Sequence, residues 1–364
     1  MYSKLARIII LFLTFNYQVF ADEITIVGSV DQSLKLSRSN TIKSLHSNSA
    51  TTVSDTKTIK LLEFQLSDKA KNKIYQDVQQ ALTENEKKND AEPPRSSSKK
   101  VELGMNNVPV LDQGYNGTCV TFAATAAIDA ALDKGDYISQ LCLLQLGNYL
   151  EQQGKGYSGW NGSYGKIVLS RIETFGVYSK INQKKYSCGG YSEYPYYYSS
   201  STPMTPEVYG EHAELVKDNP IIWETLFDYS DVFANSPKDT VDTVKQVKDA
   251  LNAGFRVSFG VLLPRTDLGT VGAVGWHHYL EDTWVLSYDI AQELGGSNNF
   301  AGHEMVITGY DDNAVAMDYY GHRHHGLFTL RNSWGSNVAD WGTFYMSYDY
   351  FKALAIEAYK VGKN

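Results

Sequence analysis

The chain has 364 residues, of which 43% are hydrophobic and 20% are charged. This composition predicts a globular protein with a sizeable buried core and excludes a largely disordered or fibrous chain. The formal net charge is −8, and an acidic balance argues against nucleic acid as a partner.

Residues 1–21 are predicted to be a secretory signal rather than part of the fold. Lys4 and Arg7 form a short positive start, residues 8–15 are almost entirely apolar, and Ala21 closes a stretch suited to signal cleavage. The apolar run is too short to span a bilayer, and no later stretch is long enough. We therefore expect a protein that is exported to the periplasm or the extracellular space, with no membrane segment in its mature form.

Residues 22–100 differ from the remainder of the chain and are predicted to be a prosegment. Ile59–Leu66 alternates weakly and predicts a short strand, and helical spacing of apolar residues predicts a helix that begins near Asp68. Residues 89–100, with two prolines and three serines, predict an exposed linker. We expect cleavage of that linker within residues 95–100.

The charge balance changes at this boundary. Residues 22–100 contain 13 Lys and Arg against 11 Asp and Glu, a net charge of +2. Residues 101–364 contain 18 against 30, a net charge of −12. A basic segment beside an acidic domain suits a cover that acts within its own chain as an inhibitor; a disordered stalk is the alternative.

Residues 101–364 are predicted to form the catalytic domain. Helices come first and strands later, a pattern that predicts an α+β protein with two lobes. The predicted helices cover residues 121–134, 138–152, 166–175 and 241–252, and the predicted strands cover residues 256–262, 304–309, 326–331 and 343–347.

The densest chemical signal is the segment 112–123, DQGYNGTCVTFA. Its glycines and asparagine predict a tight loop that ends where an alanine-rich helix begins, so Cys119 is expected at the helix N-terminus. Free N–H groups and the positive end of the helix dipole favour a thiolate there. The side-chain amide of Gln113 can lie beside the Cys119 N–H, and the two donors would form an oxyanion hole.

Two later segments supply a partner for the thiol. His303 follows a glycine and opens a predicted strand, whereas Asn332 ends a strand in the segment LRNSWG. The amide oxygen of Asn332 can accept a hydrogen bond from His303 and fix its tautomer. Trp334 is placed to shield that bond from water. The odd number of cysteines in an exported protein also requires at least one free thiol, which fits a nucleophilic Cys119.

In this order, the three segments resemble the papain family of cysteine peptidases over roughly residues 108–350. The resemblance implies a papain-like two-lobed α+β fold, in which a helical lobe carries the cysteine and an antiparallel β lobe carries the histidine and the asparagine. It also implies that residues 159–164, GWNGSY, form the substrate-binding strip. Gly162 and Ser163 would pair there with the backbone of an extended peptide, and Trp334 is counted with them as substrate-binding.

The chain departs from the family pattern at several positions. The family usually has a disulfide whose two cysteines are replaced here by Asn116 and Trp160, and an aromatic residue where Val120 stands. The separations from cysteine to histidine and asparagine exceed the usual range. The extra length is expected within residues 194–239 and 264–300.

The remaining cysteines leave two interpretations open. Cys142 lies in an apolar run and Cys188 in a glycine-rich loop. They form either one disulfide or two buried thiols.

Several histidines outside these motifs are also candidates for binding groups. His277 and His278 would suit an exopeptidase that holds a terminal carboxylate, although an exposed turn is favoured. His322, His324 and His325 are interpreted as a solvated hairpin tip, because no ligand set with metal spacing surrounds them.

The sequence therefore predicts a secreted, monomeric cysteine endopeptidase made as a zymogen, acting on proteins or peptides. Its predicted catalytic residues are Cys119, His303, Asn332 and Gln113, and no metal or cofactor is expected. The alternatives are a thiol acyltransferase, which passes the acyl group to an amine, and a non-catalytic papain-like binding protein.

Overall fold

The computed structural model describes residues 23–37, 56–89, 99–215, 221–233, 242–264, 270–272, 281–297 and 299–363. The predicted signal, residues 95–98 of the predicted cleavage stretch, and both histidines of the 277–278 pair lie outside these ranges.

Helices and strands contribute about equally, which confirms the expected α+β class. Within the described ranges, no helix is both long enough and apolar enough to cross a membrane. The helices are α1 (Asp68–Asn89), α2 (Cys119–Leu132), α3 (Gln140–Gln152), α4 (Gly165–Phe175), α5 (Lys180–Tyr186), α6 (Pro206–Gly210), α7 (Tyr229–Phe233), α8 (Thr243–Asn252), α9 (Tyr288–Gly296) and α10 (Tyr348–Leu354).

The strands include every one predicted from the sequence, and all of these except β12 are longer than predicted. They are β1 (Ile24–Lys35), β2 (Thr56–Leu66), β3 (Lys100–Glu102), β4 (Val177–Tyr178), β5 (Ala213–Glu214), β6 (Ile221–Phe227), β7 (Arg256–Leu263), β8 (Thr270–Val271), β9 (Thr283–Trp284), β10 (Asn299–Met317), β11 (Arg323–Arg331), β12 (Thr343–Ser347) and β13 (Ala355–Lys363).

The four helices predicted after residue 101 each begin one or two residues away from the predicted position. Helix α2 begins at Cys119 itself, two residues before the predicted start. Helix α3 begins two residues later than predicted, because the side chain of Ser139 accepts the Cys142 N–H and caps the helix. These differences lie within the usual uncertainty of helix ends.

The main sheet has the strand order β6-β13-β7-β10-β11-β12-β9-β8. Strands β7 and β10 lie side by side at its centre, and all eight residues of β7 are buried. Helix α2 packs against β7, β10 and β13, and all 14 of its residues are buried. Its alanines allow this close approach, which sets the first residue of α2 against the sheet.

A β-hairpin precedes the predicted linker. Strands β1 and β2 pair antiparallel from Ile24 opposite Leu66 to Lys35 opposite Thr56. Only β2 was predicted from the sequence, because residues 24–35 carry a weaker apolar alternation and depend on β2 for their pairing. Strand β2 also pairs with β10, with Leu62 opposite Gly302, so the hairpin extends the main sheet directly beside His303.

Helix α1 continues from the hairpin and packs against α9 and α10. Its apolar residues at helical spacing are buried as predicted, among them Ile74 and Val78. At its far end, Glu86 receives a hydrogen bond from the Tyr288 hydroxyl. The N-terminal segment therefore contacts the body of the protein through both the hairpin and the helix.

Cys142 and Cys188 are joined by a disulfide. This resolves the two interpretations left open by the sequence in favour of the pair, and it leaves Cys119 as a free, buried thiol. The bridge ties α3 to the loop that follows α5.

Asn116 and Trp160 form a polar and aromatic cluster where the resemblance would place a disulfide. The Asn116 side chain donates to the carbonyls of Pro195 and Tyr196 and accepts the Tyr198 N–H. Trp160 stacks on Tyr198, with ring centroids 3.7 Å apart. Residues 195–198, near the start of the predicted insertion, thus hold the loop that contains Asn116.

Replacing Trp160 with alanine should lower the free energy of unfolding by about 3–5 kcal/mol, because the Tyr198 ring would face a cavity. Trp160→Phe is the matched control: it keeps a ring and loses no hydrogen bond, since the indole N–H donates to no described residue. Urea unfolding of the full chain measures both variants. An alanine variant as stable as wild type would show that the stack contributes little stability.

Candidate active site

The loop before α2 positions Cys119 by a close backbone approach. Gly114 has φ of +60°, and a Cβ there would lie 2.6 Å from the carbonyl oxygen of Tyr196. The Tyr115 N–H donates to that same carbonyl. Only glycine fits this approach without displacing the chain, so the tight loop expected from the sequence is present and is braced by residues 194–198.

His303 and Asn332 are brought together by adjacent strands. His303 Nε2 lies 2.8 Å from Asn332 Oδ1, the orienting bond predicted from the sequence. Trp334 stacks on the imidazole, with ring centroids 4.4 Å apart, and is itself 1% exposed. The bond is therefore shielded from water as expected. The other ring nitrogen, Nδ1, is buried and has no hydrogen-bond partner among the described residues.

Cys119 lies against the same strand as His303. The Glu304 N–H, one residue beyond His303, is within hydrogen-bonding reach of the Cys119 sulfur, as are the N–H groups of Cys119 and Val120. The start of α2 thus directs free N–H groups at the thiol, in the manner expected of a helix N-terminus.

Gln113 has a fixed side-chain amide close to this group. Its Oε1 accepts the Ser333 hydroxyl at 2.8 Å, and its Nε2 donates to the Asn116 carbonyl at 2.8 Å. Nε2 also lies 3.5 Å from the carbonyl oxygen of Lys60, in β2. The amide therefore presents an N–H donor to a peptide carbonyl that passes over the site.

Strand β2 covers the site along its length. Lys57 Nζ donates to the carbonyl of Trp334 at 3.0 Å and pairs with Asp112 at 2.6 Å. Under this cover, Cys119, Gln113 and His303 are at most 1% exposed. The described form of the protein has a closed site.

The predicted substrate-binding strip lies under the same hairpin. A Cβ on Gly162 would lie 3.0 Å from Leu62 Cδ2 and 3.1 Å from Ile26 Cγ2. Ser163 is buried beside it. The structure thus brings Gly162 into contact with hairpin side chains, and the pairing of Gly162 and Ser163 with a substrate backbone stays a prediction.

Burial determines the protonation states of Cys119 and His303. Desolvation raises the pKa of Cys119 to about 12, and the nearby Glu304 adds to this effect. Desolvation lowers the pKa of His303 to about 4, against the opposing effect of the Asn332 hydrogen bond. Both groups are therefore neutral near pH 7. The thiolate expected from the helix start is not favoured in this covered form, because loss of water outweighs the helix N–H groups.

The three histidines near residue 322 do not form a fully solvated tip. His324 is 1% exposed, with Nδ1 2.6 Å from Asp349 and 3.3 Å from the Asn85 amide of α1. The prediction of a solvated hairpin tip was wrong for His324, because helix α1 covers it through Asn85, which lies 239 positions earlier in the chain. Within the described ranges, no group of three or more His, Cys, Asp or Glu side chains is arranged to hold a metal ion.

Sequence reasoning missed the tyrosine that braces the loop before the nucleophile. The Tyr194 hydroxyl donates to the Gln113 carbonyl at 3.1 Å and lies 2.9 Å from Thr118 Oγ1. Phe122 packs edge-on against its ring. The only signal in the sequence is the tyrosine-rich run at 191–198, which was interpreted as part of an insertion.

No family model matches the chain. No curated protein matches it either. Solved structures that are similar to it include xylellain, a cysteine protease from Xylella fastidiosa, with 20% identity, a TM-score of 0.45, and coverage of 75% of this chain and 87% of xylellain.

Digestive procathepsin L 3 from the larval midgut of Tenebrio molitor has 17% identity, a TM-score of 0.41 and coverage of 75% and 71%. The bromelain protease from Ananas comosus has 15% identity, a TM-score of 0.44 and coverage of 73% and 99%.

Acidification is expected to open the hairpin cover. The pKa of His303 is about 4 in the covered form and should return towards about 6.5 once the ring is hydrated. The open form then binds more protons between these values, so lowering the pH through this window favours opening, by up to about two orders of magnitude. The Cys119 thiol stays protonated throughout the window and contributes no pH dependence there.

Hydrogen exchange of the β2 amides, corrected for intrinsic pH dependence, measures this opening. His303→Ala is the control and should lose the histidine's share of the pH response. Equal pH responses in wild type and His303→Ala would contradict the assignment to His303.

Proposed function

We propose that this protein is a secreted cysteine endopeptidase made as a zymogen. The observation that carries the proposal is the His303–Asn332 bond of 2.8 Å, shielded by Trp334, beside a free Cys119 at the start of a buried helix. A thiol, a base and a residue that orients the base are the parts required for nucleophilic catalysis by cysteine.

The proposed reaction is acyl transfer from a peptide to water. Cys119 transfers its proton to His303, and its sulfur attacks the scissile carbonyl carbon to form a tetrahedral intermediate. The amide of Gln113 and the Cys119 N–H stabilise the oxyanion. The C–N bond then breaks while His303 donates the proton to the leaving amine. Water, deprotonated by His303, attacks the thioester, releases the acid product and restores the thiol.

The zymogen part of the proposal is supported by the cover. Strand β2 places the Lys60 carbonyl 3.5 Å from Gln113 Nε2 and lays Leu62 against Gly162. A substrate chain would need the same positions, so the two compete for the site. We infer that residues 22–100 are the prosegment, that it is cut within residues 95–100, and that the mature enzyme is an exported monomer.

Processed wild-type protein should cleave unfolded protein substrates and be labelled at Cys119 by a thiol-directed epoxide near neutral pH. Cys119→Ala should lose both properties. His303→Ala should lose cleavage and most labelling, because the sulfur then lacks its proton acceptor. Mass spectrometry locates the label, and a peptide library read by mass spectrometry reports cleavage.

The outcomes of this assay separate the competing functions. If the acyl group passes to added amines more often than to water, the result favours an acyltransferase. Neither labelling nor cleavage after removal of the prosegment would favour a binding protein and overturn the proposal.

Disrupting the cover should activate the uncut precursor. Leu62→Asp places a charge in a position that is 2% exposed, and loss of a buried leucine costs about 2–5 kcal/mol. Epoxide labelling of the intact-precursor band should therefore accelerate at least about tenfold. Gln65→Asp, an exposed position on the same strand, is the matched control and should leave the rate near that of wild type. A wild-type precursor labelled as fast as the processed enzyme would rule out inhibition by this segment.

A further inference from the structure

Two buried glutamates lie behind the candidate nucleophile. Glu304 follows His303 in β10 and is 1% exposed, and Glu357 lies in β13 and is 2% exposed. Glu304 lines a small cavity together with Phe122 and Ala123 of helix α2, which begins at Cys119. The Glu304 carboxyl raises the pKa of the Cys119 thiol, whereas hydrogen bonding by the Glu304 N–H lowers it. The mechanism above uses neither carboxyl group, and two acidic side chains at this depth require a compensating arrangement.

The space for these carboxyl groups is provided by two glycines. A Cβ on Gly165 would lie 2.5 Å from the Tyr359 ring and 3.2 Å from Glu304 Oε1. A Cβ on Gly260 would lie 3.0 Å from Glu357 Cγ. Larger residues at either position would displace the pair, so the surrounding backbone is shaped to hold it.

The hydrogen bonds around the two carboxyl groups are unequal. Glu357 accepts the Gly165 N–H at 2.9 Å and the Tyr359 hydroxyl at 2.8 Å. Glu304 Oε1 accepts the Ser258 hydroxyl at 2.6 Å. Glu304 Oε2 is buried and receives no hydrogen bond from the described residues, and both the charge of Glu357 and hydrogen bonding to it raise the pKa of Glu304. The geometry therefore suits a proton on Glu304 Oε2 that is donated to an ionised Glu357.

Two buried carboxyl groups in contact cannot both ionise near neutral pH. Burial raises the pKa of Glu357 to about 6 and that of Glu304 well above its ordinary value. The pair thus holds one proton and one negative charge, with the charge on the member that has more donors. Glu304, the member that acts on Cys119, stays neutral.

Other groups around the pair also affect its protonation. From strand β7, Ser258 contacts Glu304 and does not titrate, whereas Arg256 donates to the carbonyls of Gly104 and Leu103 instead. The titratable groups that interact electrostatically with the pair are Cys119 on α2, Tyr359 on β13, Tyr164 before α4, and Asp228 before α7, which lies 3.9 Å from Lys166 of α4. Asp228 opposes ionisation of Glu357, which reinforces retention of a proton by the pair.

We propose that Glu304 and Glu357 form a proton-sharing positioning pair that controls how readily Cys119 ionises. The proposal rests on the proposed peptidase function. While Glu304 holds the proton, no charge lies beside the sulfur, and the thiolate forms more easily. Loss of that proton at higher pH places a carboxylate beside Cys119 and opposes the thiolate.

Two isosteric variants should have different effects on the ionisation of the Cys119 thiol. Glu304→Gln keeps a donor to Glu357 and can never ionise. The midpoint for thiolate formation should therefore stay at the wild-type value, and the opposition to the thiolate that an ionised Glu304 adds at high pH should be lost. Glu357→Gln places an amide donor against Glu304, which then carries the charge. The midpoint should rise by about one pH unit, the size expected for a charge close by in a protein interior.

The measurement is the rate of Cys119 alkylation by iodoacetamide in the full chain, followed by mass spectrometry across the pH range in which near-ultraviolet circular dichroism shows a native fold. A midpoint for Glu357→Gln above that for Glu304→Gln supports the pair. Equal midpoints, or the same displacement in both variants, would show a packing role only and overturn it. If one variant fails to fold, the other is compared with wild type. A higher midpoint in Glu357→Gln, or loss of the high-pH effect in Glu304→Gln, supports the pair, and the absence of that change overturns it.

This readout does not depend on turnover. If wild-type protein hydrolyses no peptide, the proposed function fails, whereas the alkylation midpoints still test the pair. The pH profile of kcat/KM for each variant then links the pair to catalysis where turnover is present.

Discussion

Exclusion of water from Cys119 and His303 is the constraint on which the rest of the site depends. Under β2 both groups are neutral, since burial raises the pKa of the thiol and lowers that of the imidazole. A thiolate–imidazolium pair needs solvent or compensating charges that the closed site does not provide. The same dry interior makes the proton shared by Glu304 and Glu357 unusually influential, because charges interact most strongly where water is absent.

Strand β10 organises this arrangement. Residues 299–302 of β10 pair with β2, and His303 and Glu304 follow directly. Residues 309–311 of the same strand pair with β3. Helix α2 packs against it and brings Cys119 to the same place. His303 and Glu304 therefore share one strand with the pairing partner of the cover, and Cys119 is held against that strand by helix α2.

The sequence predicted what depends on local chemistry and missed what depends on distant packing. The loop before Cys119, the His303 strand and the Asn332 turn each carry their signal in a few adjacent residues, and the helices followed from apolar spacing. Strand β1 was missed because its partner stabilises it. Burial of His324 was missed because α1 covers it. Tyr194 lay in an apparent insertion, and Glu357 carries no signal beyond an acid within an apolar strand.

The segment before the predicted linker and the segment after it both pair with strand β10. Residues 90–98 join α1 to β3, and β2 and β3 both pair with β10. Cutting between them would remove no pairing contact, so the cover would remain bound at the moment of cleavage. The cut would instead change an intramolecular contact, with the effective concentration typical of a tethered ligand, into an ordinary bimolecular equilibrium. Dilution would then determine what fraction of the sites becomes free.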